Sequence, residues 1–362
     1  MSKKIGILTF HKAVNYGAAL QCFALYRAVK STGCDCEVVD YLYDNYKCNN
    51  TFRGRLSGGF KKIIEYILMY PTRSIRKKKI EEFLMRNTTL SEKLYTPQNI
   101  ADSNQIYDSF IAGSDQIWDL KKTGNDLNFY LSFIKDAKKK NSYAASLGEI
   151  TPSVKECLRR QLMDFNHISV REKDLQEAVE FETKRTAELL IDPTFLIDKI
   201  EWMEHAVTPK ENNYILVYTL AKSPDLFSFA KQLAKKTGLK IIYLSVRAER
   251  PLHTKIVSTA GIGEFLGYFS KANYVLTNSF HGTAFSIIME KEFFIGLHKE
   301  THMGNARLET LLDKFGLNNR LLENNLELDL NKTIDYEIVR SRIKQEKKYA
   351  FTFLNKIISN IE

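Results

Sequence analysis

A chain of 362 residues has room for about two domains, because single hydrophobic cores stop growing at roughly 250 to 300 residues. Its 44% hydrophobic and 27% charged residues are ordinary for a globular protein and exclude a disordered or fibrous chain. Fifty-three basic against forty-three acidic residues leave a formal charge of +10, which favours acidic partners without choosing among nucleic acid, an anionic membrane surface and phosphorylated small molecules.

The N-terminal MSKKIGILTF is basic but has almost no apolar core before the polar run His11 to Tyr16, so no signal peptide is expected. The longest apolar stretch, near Ile63 to Tyr70, contains Glu65 and is too short to span a bilayer. The five cysteines are odd in number and without CxxC spacing, which reads as reduced thiols. A zinc role for Cys34 and Cys36 lacks a second ligand pair. A cytoplasmic protein is expected.

Lys4 to Phe10 reads as a buried strand, followed by the polar loop HKAVNYGA, a helix from Ala18 to Ser31 and a strand from Glu37 to Tyr41. In such a βαβ opening the loop after the first strand is where ligands bind. Asn15, Tyr16 and Gly17 lie there, either to meet a sugar or phosphate or to form an exposed turn into the helix. From about 44 to 100 the pattern turns basic, aromatic and helical and reads as an insertion in the first domain. Two readings stand for it. Arg73, Arg76, Lys77, Lys78 and Lys79 beside Phe60, Ile63, Ile64 and Ile67 make a basic amphipathic element for an anionic membrane face, or a solvated helical hairpin packed on the domain.

Tyr107 to Ala112 is a buried strand ending in GSDQIWD. Ser114, Asp115 and Gln116 place polar groups at the strand end, and Trp118 offers a flat face on which a sugar stacks. The competing reading makes Ser114 or Asp115 a helix cap and Trp118 core. A strand from Asn141 to Ala145 exits in SLGE, and His167 to Val170 is a short strand before a helix. Arg171 at that junction either binds a carboxylate or phosphate bidentately or pairs with Glu172 or Asp174. Leu189 to Asp192 closes the half.

After a connection at Asp198 to Asn213, strands at Tyr214 to Thr219, Lys240 to Leu244, Tyr274 to Leu276 and Phe293 to Leu297 alternate with helices and predict a second parallel sheet. Ser245 to Ile256 reads as a basic loop. In YVLTNSFHGTAF a strand passes through a polar turn into a helix, with His281 in its first turn. Free N–H groups there attract anions, and an imidazole shuttles protons or, when charged, neutralises a phosphate. The plainer alternative is Ser279 as cap and His281 as filler. His298 and His302 have metal-ligand spacing, but their segment reads as a loop, and no metal is expected. Residues 335–362 read as a basic amphipathic helix that packs back on the first domain.

HKAVNYGAALQ, FIAGSDQIWD, SYAASLG, SVREKD, IDPTFL and TNSFHGTAFSI together resemble the polysaccharide pyruvyl transferase family, in motif order as well as wording. The resemblance implies two Rossmann-like domains facing each other across a cleft in a GT-B-like plan, residues 1–197 on the acceptor side and 198–334 on the donor side. It implies transfer of pyruvate from phosphoenolpyruvate to a sugar as a cyclic ketal, in the assembly of a capsule or other exopolysaccharide. No tightly bound cofactor is implied, and phosphoenolpyruvate is the co-substrate. His281 matches the family histidine, for proton transfer or phosphate contact. Arg171 matches the arginine of a VRE-like motif and would hold the donor anion. Ser279, Gly282, Thr283, Lys299 and Arg307 complete the expected donor side. Asn15, Tyr16, Gly17, Ser114, Asp115, Gln116 and Trp118 form the expected acceptor side, with Asp115 as general base. Many family members carry an arginine two residues before the histidine where this chain has Ser279, so Lys299, Arg307 or Arg247 would supply that cation. The acceptor implied is a saccharide, including a lipid-linked one, which would give the basic insertion a reason to touch the inner membrane surface. A GT-B glycosyltransferase using a nucleotide sugar is the first alternative. The second is a non-catalytic saccharide- or nucleic-acid-binding protein, and the lack of regular aromatic interleaving among the basic residues speaks against nucleic acid.

Overall fold

The computed structural model describes residues 3–46, 60–247, 251–297, 304–322 and 333–360, and of residues 60–66 and 68 the backbone alone. The chain divides into two compact units. The first comprises Met1–Ile63, Leu84–Ile197 and Gln345–Glu362, and the second Ile64–Phe83 and Asp198–Lys344.

The apolar runs of the first unit become β1 (Lys4–Leu8), β2 (Asp35–Val38), β3 (Ser109–Asp115), β4 (Lys140–Ala145), β5 (Ser169–Val170) and β6 (Glu188–Leu189). They form one parallel sheet in the order β2-β1-β3-β4-β5-β6, with Ile5 opposite both Cys36 and Ser109. Helix α1 (Tyr16–Ser31) follows β1. It is buried on nearly all sides, because the Pro193–Leu196 turn packs on it as well as the sheet. Next in the chain is α2 (Phe60–Asn87), with α3 (Pro152–Gln161) and α4 (Lys173–Thr183) further on.

From Phe60 to Asn87 the insertion is one long helix running through Pro71, where a hairpin was one of the expected forms. Although α2 lies between β2 and β3 in sequence, its stretch Ile64–Phe83 belongs to the second unit. Lys79 pairs with Glu264, and Phe83 meets His205 edge to face with ring centroids 5.5 Å apart. Lys77 and Lys78 pair with Glu81 and Glu82 one turn on. The basic row is thus partly turned inward and partly neutralised along the helix. No described helix is long and apolar enough to cross a membrane.

The second unit carries β7 (Tyr214–Tyr218), α5 (Pro224–Thr237), β8 (Lys240–Leu244), β9 (Lys255–Val257), α6 (Ile262–Lys271), β10 (Tyr274–Thr277), α7 (Phe280–Ile288), β11 (Glu292–Ile295) and α8 (Asn305–Phe315). Its parallel sheet has the order β11-β10-β7-β8-β9. Proline at the start of α5 and left-handed Gly238 at its end are the residues a helix prefers at those two places. Strand β9 corrects the reading of Ser245 to Ile256 as loop throughout. Lys255–Val257 pairs with β8 alone, and an edge strand of three residues has too little apolar pattern to stand out. Helix α9 (Tyr336–Ser359) begins in the second unit and, from Gln345, belongs to the first, where Phe353 packs on Tyr143 and His167.

Helix α6 packs so closely on the 205–209 segment that an added Cβ at Gly267 would overlap the Val207 carbonyl oxygen. Backbone cannot yield as a flexible side chain does, so Gly267→Ala is expected to cost about 1–3 kcal/mol, at the level of overpacking. Urea denaturation checks this, and a variant as stable as the wild type would contradict the packing.

Candidate functional site

Ligands of open parallel sheets bind outside the carboxyl ends of the strands, where the strand order reverses. In the first sheet that point lies between β1 and β3, since β2 is added on one side and β4 to β6 on the other. Gln21 of α1 bridges the two strand ends. Its amide nitrogen donates to Thr9 Oγ1 at 2.8 Å, and its oxygen accepts from the Ser114 N–H at 3.0 Å. Ser114 Oγ donates to the Ala144 carbonyl at 2.6 Å. Ser114 is therefore wholly buried framework rather than an acceptor contact.

Several other expected acceptor residues are corrected in the same way. Trp118 is fully buried, stacked on Tyr130 at 5.3 Å with its Nε1–H donating to the Phe129 carbonyl, so it presents no face to a sugar. Tyr16 and Gly17 are buried in α1, and the half-buried Asn15 caps that helix by accepting from the Ala18 N–H. Buried Gln116 donates to the Leu147 carbonyl and pairs with Lys122. The cap in GSDQIWD is neither Ser114 nor Asp115 but Asp119, which accepts from the N–H groups of Lys121 and Lys122.

Asp115 remains open. Its φ of 71° lies in the left-handed region, which non-glycine residues seldom occupy and which recurs at functional sites. The Ser146 and Ile117 N–H groups hold its carbonyl at 3.0 and 2.7 Å. Arg171, 3% exposed, lies among three carboxylates. It pairs with Asp192, with Glu172 at 3.4 Å and with Asp115 at 3.6 Å. Burial alone would disfavour its charge, but Asp192, Glu172 and Asp115 outweigh that and hold its pKa above the ordinary arginine value. An arginine so committed organises carboxylates, which revises its expected role as receiver of the donor anion. Among the three, Asp115 alone has an accessible side chain, 16% exposed against 3% for Glu172 and 0% for Asp192.

One residue in this neighbourhood was not singled out from the sequence. His11, 4% exposed, follows β1 with Nε2 2.9 Å from Asp40 and Nδ1 3.3 Å from the Thr9 carbonyl. Its place in HKAVNYGA, directly after a buried strand, was the available signal. Burial would raise the Asp40 carboxyl, but His11 and Lys12 more than offset it and hold it below the usual range.

In the second sheet the order reverses between β7 and β10. Thr277 Oγ1 donates to the Tyr218 carbonyl at 2.6 Å across this pair. Asn278 accepts from the Leu220 N–H and donates to the Ala221 carbonyl, tying the loop after β7 to the start of α7. Ser279 caps α7 by accepting from the Gly282 N–H at 3.2 Å, as the plainer reading had it. Gly282 serves close packing, since an added Cβ would overlap Thr277 Oγ1 and lie 3.0 Å from the Tyr218 ring. Thr283 is buried and donates to the Ser279 carbonyl. His281 follows in the first turn, 6% exposed and edge-on to Phe280 at 5.2 Å. Arg307 lies in the first turn of α8 with its guanidinium over Gly304. Lys299, His298 and His302 lie outside the described residues.

Fold and strand-end chemistry together define a two-unit α/β protein with polar groups at the order reversal of each parallel sheet. Solved structures agree on the fold. A protein assigned as a UDP-N-acetylglucosamine 2-epimerase from Listeria monocytogenes is similar with a TM-score of 0.51 and 10% identity, over 98% of this chain and 90% of that one. The UDP-GlcNAc 2-epimerase of Methanocaldococcus jannaschii, solved with UDP-GlcNAc and UDP, has a TM-score of 0.50 and 12% identity over 95% and 99%. These likenesses establish the GT-B-like class. No curated protein sequence matches the chain. The family model described as polysaccharide pyruvyl transferase matches residues 15–295, and the chain belongs to that family.

Removing the enclosed Trp118 ring leaves a cavity, so Trp118→Ala is expected to lose about 3–5 kcal/mol of stability in denaturant unfolding. A small loss would mean that the ring is not the core element described. For Asp40, whose folded pKa is depressed, the contribution to stability is present above its unfolded value of about 3.9 and is lost as pH falls through the folded value. The stability gap between wild type and Asp40→Asn should therefore shrink from pH 7 to pH 3. A gap independent of pH would show that the pair with His11 and Lys12 is not formed.

Proposed function

We propose that this protein transfers pyruvate from phosphoenolpyruvate to a sugar of a surface polysaccharide or its lipid-linked precursor, closing a cyclic ketal. The observation that carries the reading is the family match over residues 15–295, a span that includes both Asp115 with its arginine and His281. In the proposed reaction one sugar hydroxyl adds to C2 of phosphoenolpyruvate while C3 gains a proton. A second hydroxyl then displaces inorganic phosphate from C2, so no oxidant or reductant is consumed and phosphoenolpyruvate is the one co-substrate proposed.

Three residues have roles in this scheme. His281, in the first turn of α7, supplies the proton to C3 or contacts the phosphate, where the positive end of the helix dipole favours the anion. Asp115, the most accessible carboxylate around Arg171, accepts the proton of the attacking hydroxyl. Arg171 is a positioning residue that holds the Asp115 carboxylate in place at 3.6 Å.

Calorimetric titration of phosphoenolpyruvate, with UDP-sugars and GDP-sugars as controls, tests the reading. Phosphoenolpyruvate should bind the wild type and bind His281→Ala at least tenfold more weakly, a loss of about 1.4 kcal/mol. Asp115→Asn should leave that affinity within about twofold, roughly 0.4 kcal/mol, and abolish acceptor-dependent phosphate release. Binding of a nucleotide sugar in place of phosphoenolpyruvate would overturn the proposal in favour of a glycosyltransferase.

A further inference from the structure

Three described arginines are almost completely buried, Arg76, Arg171 and Arg320, each 3% exposed. Arg171 has its three carboxylates, and Arg320 pairs with Glu292 at 2.9 Å. Arg76 has no carboxylate partner among the described residues. Its Nη1 donates to the carbonyl oxygens of Ser258 at 2.9 Å and Ser245 at 3.4 Å, and its Nε is buried with no hydrogen-bond partner. A buried charge without a counter-charge is costly, and two carbonyl dipoles offset only part of that cost.

Its place in the fold gives a charge with no carboxylate partner among the described residues a use. Ser245 directly follows β8 and Ser258 directly follows β9, so the guanidinium lies at the carboxyl edge of the second sheet. The neighbouring strand end is that of β7, whose Tyr218 hydroxyl is raised by burial and lowered in part by a hydrogen bond to Ser279 and by the charge of Arg76. Ser279, the cap of α7, stands two residues before His281. Arg247 donates to the Leu220 carbonyl and Asn278 accepts from the Leu220 N–H, so the ends of β8, β7 and β10 are joined at the order reversal. The cation arrives on α2, which is held against this unit by the Lys79–Glu264 pair. At Gly261 an added Cβ would lie 2.7 Å from Lys79 Cβ.

We propose that Arg76, carried by the inserted helix to the carboxyl edge of the second sheet, is the cation that receives an oxyanion of the ligand bound there, the phosphate or carboxylate of a small donor. The guanidinium is then the cation of that edge, and the insertion is part of the binding machinery. This deepens the reading of the second unit as the donor side and rests on it for the identity of the donor, though not for the anion site itself.

The test uses the full chain, with inorganic phosphate, phosphoenolpyruvate and UDP as calorimetric probes. Arg76→Gln keeps amide donors for the two carbonyls and removes the charge. It should bind at least tenfold more weakly whichever probe binds the wild type, with an unchanged melting temperature in the absence of ligand. Lys78→Gln on the same helix, where the side chain is 79% exposed, should bind as the wild type does. Arg76→Lys retains the charge without the fork and should fall between, which decides the matter if Arg76→Gln folds poorly. Equal affinity in wild type and the Arg76 variants, or no binding of any of the three anions by the wild type, overturns the site. Arg76-dependent binding of phosphate or UDP without binding of phosphoenolpyruvate upholds the site and removes the pyruvyl reading. Binding of phosphoenolpyruvate that depends on His281 but not on Arg76 does the reverse.

Discussion

In each sheet one pair of neighbouring parallel strands sends its connections in opposite directions, and that reversal determines where polar groups can stand. Elsewhere along a parallel sheet the carboxyl ends are covered by the connections to the next helix. At β1/β3 and at β7/β10 the connections diverge, and the exposed strand ends must be satisfied by side chains. Thr9, Gln21 and Ser114 do this in the first unit, and Thr277, Asn278 and Ser279 in the second. Most hydroxyls and amides in the family motifs therefore hold the frame, and the chemistry is left to the few groups that the frame presents.

The Arg171 cluster shows how burial turns a residue from ligand contact to organiser. Removing a guanidinium and two carboxylates from water is tolerable only because their mutual attraction is strong where solvent is excluded. Asp192 is further held by the N–H and hydroxyl of Thr194, so the inner side of the cluster is satisfied by the protein itself. Asp115, with a φ of 71°, is the most accessible of the three carboxylates.

Arg76 is the complementary case, a guanidinium delivered by a segment distant in sequence and given no carboxylate among the described residues. Arg171 and Arg76 carry the same charge and are equally buried. Their surroundings differ, three carboxylates around the first and two backbone carbonyls at the second.

The sequence by itself determined what depends on neighbouring residues. The alternation of apolar runs specified ten strands close to their observed positions and two parallel sheets, and TNSFHGTAF placed His281 at a strand-to-helix junction with the Ser279 cap as one of two readings. The motif order specified the family. Tertiary structure alone decided what depends on residues far apart in the chain. It enclosed Trp118 and Ser114, brought Arg171 to Asp115 and Asp192, and docked Arg76 onto a unit that begins again at Asp198. A basic amphipathic pattern states that a helix has two faces, but not which surface covers each of them. Whether an arginine meets water, a carboxylate or an empty carbonyl edge is set by packing, because the cost of its charge depends on everything within a few ångströms, most of it non-local in sequence.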